Sequence, residues 1–283
     1  MKDQAALLRQ LMAFEQQPKP LRSGGPSAVV VGSGKGGVGK SLLALGLAQV
    51  LAAEGCESLL VEGSQNLGNL AVMLGVRPAG RLEDLLDARA DPGQLLTRVS
   101  ERLWLLPGDS GAEALYGLRP TEQARLHQRL STVYGRFAAV VVDGGGGIES
   151  VVRVAAMRAG RLLVVVTPEP AALSDGFALI KVMTAQMRDL PIDIVVNRAL
   201  DDREARLAHE KLQVAAERFL RRGLRCIGTI PEDATMQAVS RGRLPLFGPD
   251  PAGPAAAAIR DIALVLLREG LAAPAVSAMA VMP

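Results

Sequence analysis

An α/β fold built on a doubly wound, mainly parallel sheet is the architecture that this 283-residue sequence predicts. Three observations lead to it. Short apolar runs bounded by Gly, Pro or Asp recur along most of the chain, the pattern of strands covered on both faces. Between them, apolar residues return every three or four positions, as on a helix that buries one side. A glycine-rich stretch, Gly32 to Gly39, joins the first strong apolar run to the first long apolar helix pattern. Alternation of this kind folds through right-handed crossovers into a parallel sheet.

Residues 3 to 17 read as a short helix, with Asp3 at its N-cap and Ala5, Leu8, Leu11 and Met12 on one face. PKPLRSGGPS follows, and its Pro, Gly and Ser mark a linker over 18–27. A detached amphipathic helix needs a surface for its stripe, either on its own domain or on a partner. The main domain is expected over 28–271, opening with a strand from Ala28 to Val31. A helix with Leu42, Leu45, Ala48 and Leu51 comes after the glycine loop. Further strands are expected at Ser58 to Val61, Leu103 to Leu106, Ala138 to Val142, Arg161 to Val166, Ile192 to Val196 and Cys226 to Ile230. Pro168 and Pro170 mark a change from strand to helix, and Ala208, Leu212, Ala215 and Phe219 mark the face of a later helix.

The last helix pattern carries Ile259, Ile262, Leu266 and Leu267, with Arg260 and Arg268 balanced by Asp261 and Glu269. Attraction to anionic lipid, about 1 kcal/mol per basic residue, largely cancels. A helix closing the core is favoured, and peripheral attachment at the inner face of the cell membrane stays open. Residues 272–283 read as a flexible tail of small apolar residues.

Composition narrows the function classes. Charged residues at 22% and hydrophobic ones at 49% describe an ordinary folded domain. Net charge is +3, lysines number six, and the arginines form no dense run. With one Trp, two Tyr and five Phe for stacking, direct nucleic-acid binding is not expected. Cys56 and Cys226 stand alone and are expected as buried small hydrophobes in a reducing compartment. His127 and His209 are isolated, so no zinc site is expected. The N-terminus has no apolar signal-peptide core and no run of ~18 apolar residues occurs, which leads to an expected cytoplasmic location.

The chemistry concentrates at VVVGSGKGGVGKS, Val29 to Ser41. Gly34, Gly39, Lys40 and Ser41 occupy the fixed places of a phosphate-binding P-loop, between an apolar strand and an apolar helix. Backbone N–H groups of Gly34, Gly36, Gly37, Val38 and Gly39 can turn toward phosphate oxygens at the positive end of the helix. Lys40 can bridge the outer phosphates, and the Ser41 hydroxyl suits Mg2+. Gly32, Gly34 and Gly37 also satisfy G-x-G-x-x-G, with Glu62 about where a dinucleotide fold keeps its ribose acid. That rival explains neither Lys40-Ser41 nor Lys35. VVVDGGGG, Val140 to Gly147, supplies a strand ending in Asp143, whose carboxylate can hold a magnesium-bound water, with glycines that let the loop move.

The pattern K-G-G-x-G-K-[ST] resembles the deviant Walker A loop of the MinD/ParA family. This implies ATP and Mg2+ as cofactors and an ATP-dependent homodimer in which Lys35 reaches the partner's nucleotide. Asp3 to Arg9, D-Q-A-A-L-L-R, is similar to the N-terminal motif of the FlhG (FleN, YlxH) family, MinD-like regulators of flagellar number. The resemblance implies that Asp3, Gln4, Ala5, Leu8 and Arg9 act on an FlhF-type GTPase. Flagellar switch-complex proteins or a flagellar transcription activator are further partners that it suggests. TPEPAALSDGFALIK, Thr167 to Lys181, is similar to the same family at nearly every position. VVNRA, Val195 to Ala199, implies that Asn197 contacts adenine, against the plainer reading of an Asx-type turn. IPEDATMQAVSRGRLPL, Ile230 to Leu246, implies Pro231 and Glu232 near the base.

Two departures bear on activity. Where the family commonly reads D-T-G-A-G, this chain has Gly144 and Gly146, which are expected to loosen the segment. Where MinD-like proteins have D-x-D, it has Glu62 and Ser64; Glu62 keeps a carboxylate among the candidate catalytic groups Lys35, Lys40 and Asp143, but Ser64 brings no charge. Losing a group that positions water costs on the order of 10² in rate. The implied function is an ATP-dependent switch for flagellar number and placement. A non-hydrolysing ATP-binding adaptor and a ParA-type DNA-partitioning ATPase remain as alternatives.

Overall fold

A computed structural model describes residues 28–63, 70–108, 118–148, 150–151, 154, 159–247 and 253–271. The expected N-terminal helix with Asp3, Gln4, Ala5, Leu8 and Arg9, the linker, Ser64 and the C-terminal tail lie outside the described residues. The strands are β1 (Ala28–Ser33), β2 (Ser58–Glu62), β3 (Thr97–Arg98), β4 (Leu103–Leu106), β5 (Ala139–Gly146), β6 (Ala159–Val166), β7 (Ile192–Ala199) and β8 (Arg225–Pro231). They form one sheet in the order β3-β4-β2-β5-β1-β6-β7-β8. Every pairing is parallel except that of β3 with β4. The doubly wound α/β fold expected from the alternation is therefore what the chain adopts.

The helices are α1 (Lys40–Ala53), α2 (Leu70–Leu74), α3 (Pro120–Tyr134), α4 (Pro170–Gln186), α5 (Asp202–Leu220), α6 (Thr235–Ser240) and α7 (Gly253–Arg268). Period-2 alternation sorts the strand residues into two cores. Val30, Val142, Val164 and Val196 face a layer of α3, α4 and α5. Val29, Val31, Val141, Leu163, Val165 and Val195 face α1, α6 and α7. Ile259, Ile262 and Leu266 are buried against α1 and β8, so α7 closes the core with its apolar face. Among the described residues no helix is long and apolar enough to cross a membrane.

Four local expectations need correction. β3 was not foreseen, because two residues carry no legible period and pair only with an edge. β5 does not end at Asp143 but runs on to Gly146. On α5 the core face is Ala205, Ala208, Leu212 and Ala216. Phe219 is 67% exposed and meets Phe177 edge-on at 6.2 Å instead. Cys56 and Cys226 are free thiols, half-buried rather than buried.

At the N-terminal ends of β6, β7 and β8 an ion-pair network ties α7 to the sheet. Asp193 is buried and meets Arg161 at 3.1 Å and Arg225 at 3.1 Å. Glu269, one residue past α7, meets Arg161 at 2.6 Å and Arg225 at 2.9 Å. Hydrogen bonds from Arg225 first and Arg161 second hold the Glu269 carboxyl down at about 2. A carboxyl depressed in the folded state stabilises above its ordinary value of 4.5, and that stability is lost as pH falls toward 2. Glu269→Gln is expected to lower Tm by about 2–4 °C at pH 7. Between pH 5 and pH 2.5 the difference should shrink, and a pH-independent difference in a thermal melt would count against the network.

Candidate functional site

β1 delivers the phosphate-loop sequence to the C-terminal edge of the sheet, and α1 begins at Lys40. Gly39 closes the loop with φ of 92°, a left-handed conformation that glycine adopts without a steric cost. Gly34 is constrained differently. A Cβ built on it would lie 2.0 Å from the Asp175 carbonyl oxygen, so the loop rests against the backbone of α4.

Beneath the loop, β5 pairs with β1 on one side and β2 on the other. Asp143 is 1% exposed at this junction. Its carboxylate takes hydrogen bonds from the Ser41 hydroxyl and from the Gly145 N–H, the latter at 3.2 Å. Burial raises its pKa, opposed by those two bonds and by the charge of Lys40. Lys40 is also buried, and desolvation lowers its pKa against the attraction of Asp143. Lysine, hydroxyl and carboxylate are thus assembled at one point, in an environment that disfavours both charges.

Two of the glycines after Asp143, Gly144 and Gly146, are packing positions. A Cβ on Gly146 would meet Gly36 Cα at 3.1 Å and Lys40 Nζ at 3.4 Å. One on Gly144 would meet Val30 Cγ1 and the Val31 carbonyl oxygen, each at 3.1 Å. The expectation that Gly144 and Gly146 loosen this segment is therefore corrected: both bring β5 close under β1 and the loop.

Glu62 is the register partner of Asp143 on β2 and is 3% exposed. Its Oε1 accepts the Leu70 N–H at 3.2 Å, which places the carboxylate at the start of α2. Lys35 stands on the other flank, where its Nζ pairs with Glu169 Oε2 at 3.0 Å. Both partners are well exposed, and such pairs contribute about 0–1 kcal/mol. The loop's second lysine is thus held by its own chain through a contact that is cheap to break.

Asn197, buried on β7, reaches under the loop, donating Nδ2–H to the Val38 carbonyl at 2.7 Å. Its Oδ1 accepts the N–H of Arg198 at 2.9 Å. An amide has two N–H donors and two acceptor lone pairs, so one of each is left for the adjoining cavity. That cavity, about 430 Å³, is lined by Gly39, Leu42, Asn197, Pro231, Glu232 and Gln237, among others. Small-molecule sites commonly measure ~300–1,000 Å³. Asn197, Pro231 and Glu232 come together here from β7 and β8, next to the first turn of α1. Sequence reasoning did not single out Glu169 and Asp175 as site residues, although both lie in the Thr167–Lys181 stretch whose resemblance marked the region.

A profile of the CobQ/CobB/MinD/ParA nucleotide binding domain matches residues 29–246. The antiactivator FleN of Pseudomonas aeruginosa is 29% identical over 83% of this chain and 84% of that protein. The flagellum site-determining protein YlxH of Helicobacter pylori is 28% identical over 86% of this chain and 83% of its own length. These two bear out the FlhG-type resemblance read from the motifs. A chain of the MinC:MinD cell division protein complex from Aquifex aeolicus superposes with a TM-score of 0.68 at 26% identity, covering 88% of this chain and 97% of that one. MinD of Pyrococcus horikoshii, solved with Mg-ADP, superposes with a TM-score of 0.70 at 21% identity over 88% of this chain and 99% of that one, a likeness of fold.

Proposed function

Because the chain belongs to the CobQ/CobB/MinD/ParA nucleotide-binding family, we propose that it is a MinD-like ATP-dependent switch acting on flagellar number and placement. The observation that carries the nucleotide reading is the junction of buried Lys40 with Asp143 and its hydrogen-bonded Ser41. The flagellar part rests on the likeness to FleN and YlxH.

The residues fit their expected ligands. Phosphate oxygens would compensate the buried Lys40 charge, whose desolvation Asp143 opposes. Backbone N–H groups from Gly34 to Gly39 would line the same oxygens. Ser41 and Asp143 offer the hard oxygen donors that Mg2+ takes, the carboxylate through a water. Bound there, Mg2+ would neutralise charge on the β- and γ-phosphate oxygens. Asp143 would register the γ-phosphate, Lys35 would exchange Glu169 for the nucleotide of a second copy, and Asn197, Pro231 and Glu232 would hold adenine in the cavity. The helix with Asp3, Gln4, Ala5, Leu8 and Arg9 would act on an FlhF-type GTPase.

A second reading, the non-hydrolysing adaptor, is favoured by one observation: the Glu62 carboxylate is engaged by the α2 backbone. Ser64 brings no charge, and the remaining carboxylate at the D-x-D positions has one oxygen taken by the Leu70 N–H. Turnover at saturating Mg-ATP, with bound nucleotide and molecular mass measured on the same sample, tests both readings, with and without an FlhF-type partner. Turnover with ATP-dependent dimerisation supports the switch, and tight binding without turnover supports the adaptor. Ser64→Asp is expected to raise turnover by on the order of 10²; unchanged turnover would sink the role given to that position. Failure to bind ATP would overturn both readings.

A further inference from the structure

Thr167, at the C-terminal end of β6, is 4% exposed. Among the described residues its Oγ1 has no hydrogen-bond partner. A buried hydroxyl without a partner costs about 1–3 kcal/mol, so native structures rarely keep one without a use. Its surroundings indicate what that use is. Leu163 and Val165 face the α1 layer, and Thr167 continues their alternation. β6 pairs with β7 through Val165↔Val195 and Val166↔Val196, a register that, continued by one residue, leads from Val166 to Thr167 and from Val196 to Asn197. Asn197 already holds one end of the phosphate loop through Val38. Two residues after Thr167, Glu169 holds the other end through Lys35. Between those tethers lie Gly36 and Gly37, exposed, with no atom within 4 Å of a Cβ built on either.

From this placement we infer that Thr167 is a positioning residue for the phosphate loop. Its hydroxyl bonds the free arc of loop backbone in the conformation that the arc takes around phosphate. A threonine hydroxyl can donate to a carbonyl or accept from an N–H, so either face of a reoriented peptide satisfies it. The inference rests on the nucleotide reading of the site and adds to it a group that acts on the loop, not on the reacting atoms.

The test compares wild type, Thr167→Val and Thr167→Ser, each as the full chain, by thermal melts and calorimetric titration with Mg-ATP. Val keeps the shape and removes the hydroxyl. In nucleotide-free protein, Thr167→Val is therefore expected to melt within about 2 °C of wild type or higher, since no bond is lost. Its Kd for Mg-ATP should rise about fivefold, one hydrogen bond's worth, and the ATP-induced rise in Tm should shrink in step. Thr167→Ser, which retains the hydroxyl, should recover most of the affinity. Equal affinities of wild type and Thr167→Val overturn the inference. So does a Thr167→Val that unfolds or melts much lower without nucleotide, because the hydroxyl would then serve the fold, and so does a Thr167→Ser no better than Val. Absence of any Mg-ATP response in the wild type overturns the nucleotide reading together with this inference, whereas a response that Thr167→Val keeps overturns this inference alone.

Discussion

Lys40→Met is expected to weaken Mg-ATP binding by about 100-fold while leaving the nucleotide-free protein folded and no less stable. The affinity loss follows from removing a charged donor to phosphate oxygens, a contact of about 1.5–3 kcal/mol. The stability half follows from the pKa shift. Burial lowers the Lys40 pKa from 10.5 despite the attraction of Asp143. A lysine depressed in the folded state is a full cost below its folded value, and that cost fades as pH rises from the folded to the unfolded value. Methionine fills the same volume without that cost. Asp143 loses its favourable neighbour but keeps the hydrogen bonds from Ser41 and Gly145. Titration calorimetry with Mg-ATP beside a thermal melt reads both effects. A variant that binds within threefold of wild type would remove Lys40 from the phosphate site.

Gly34→Ala carries the second large effect, and its origin is packing. The added Cβ would lie 2.0 Å from Asp175 O, 2.3 Å from Asp175 C and 2.9 Å from Asp175 Cβ. Backbone inside α4 cannot move aside as a flexible side chain would, so the loop or the helix must give way. Overpacking of this kind costs about 1–3 kcal/mol or more, and for a domain of this size a Tm about 5–10 °C lower is expected. Gly36→Ala is the control, since its Cβ would meet nothing within 4 Å; its Tm should stay within about 1 °C of wild type. If the two variants melt together, the loop does not dock on α4 as described.

Much of this architecture was legible without coordinates. Continuous apolar runs such as Val29 to Val31 and Leu162 to Val166 can only be strands covered on both sides, and the helix periods between them impose parallel crossovers. Among the described residues, all but one of the eight strands could be placed in this way. The P-loop residues were legible because phosphate binding constrains residue type at fixed spacing within one short segment. The motifs resembling FlhG point to FleN and YlxH, to which the chain is similar over most of its length.

Other features depended on residues that meet only when the chain is folded. Gly34 is identified by its loop motif, but its neighbour Asp175 lies 141 positions away in chain order, and only packing brings them together. The same holds for Gly146 under Lys40, for Asn197 on Val38, and for the Glu269 clamp on two separate strands. Glu62 is a candidate carboxylate in the sequence, and only the fold brings the Leu70 N–H onto it. Sequence pattern decides which residues are strand, helix or loop because those preferences act over a few neighbouring positions. Burial, charge pairing and an unpartnered hydroxyl such as that of Thr167 are set by distances between strands, and only the tertiary structure decided them.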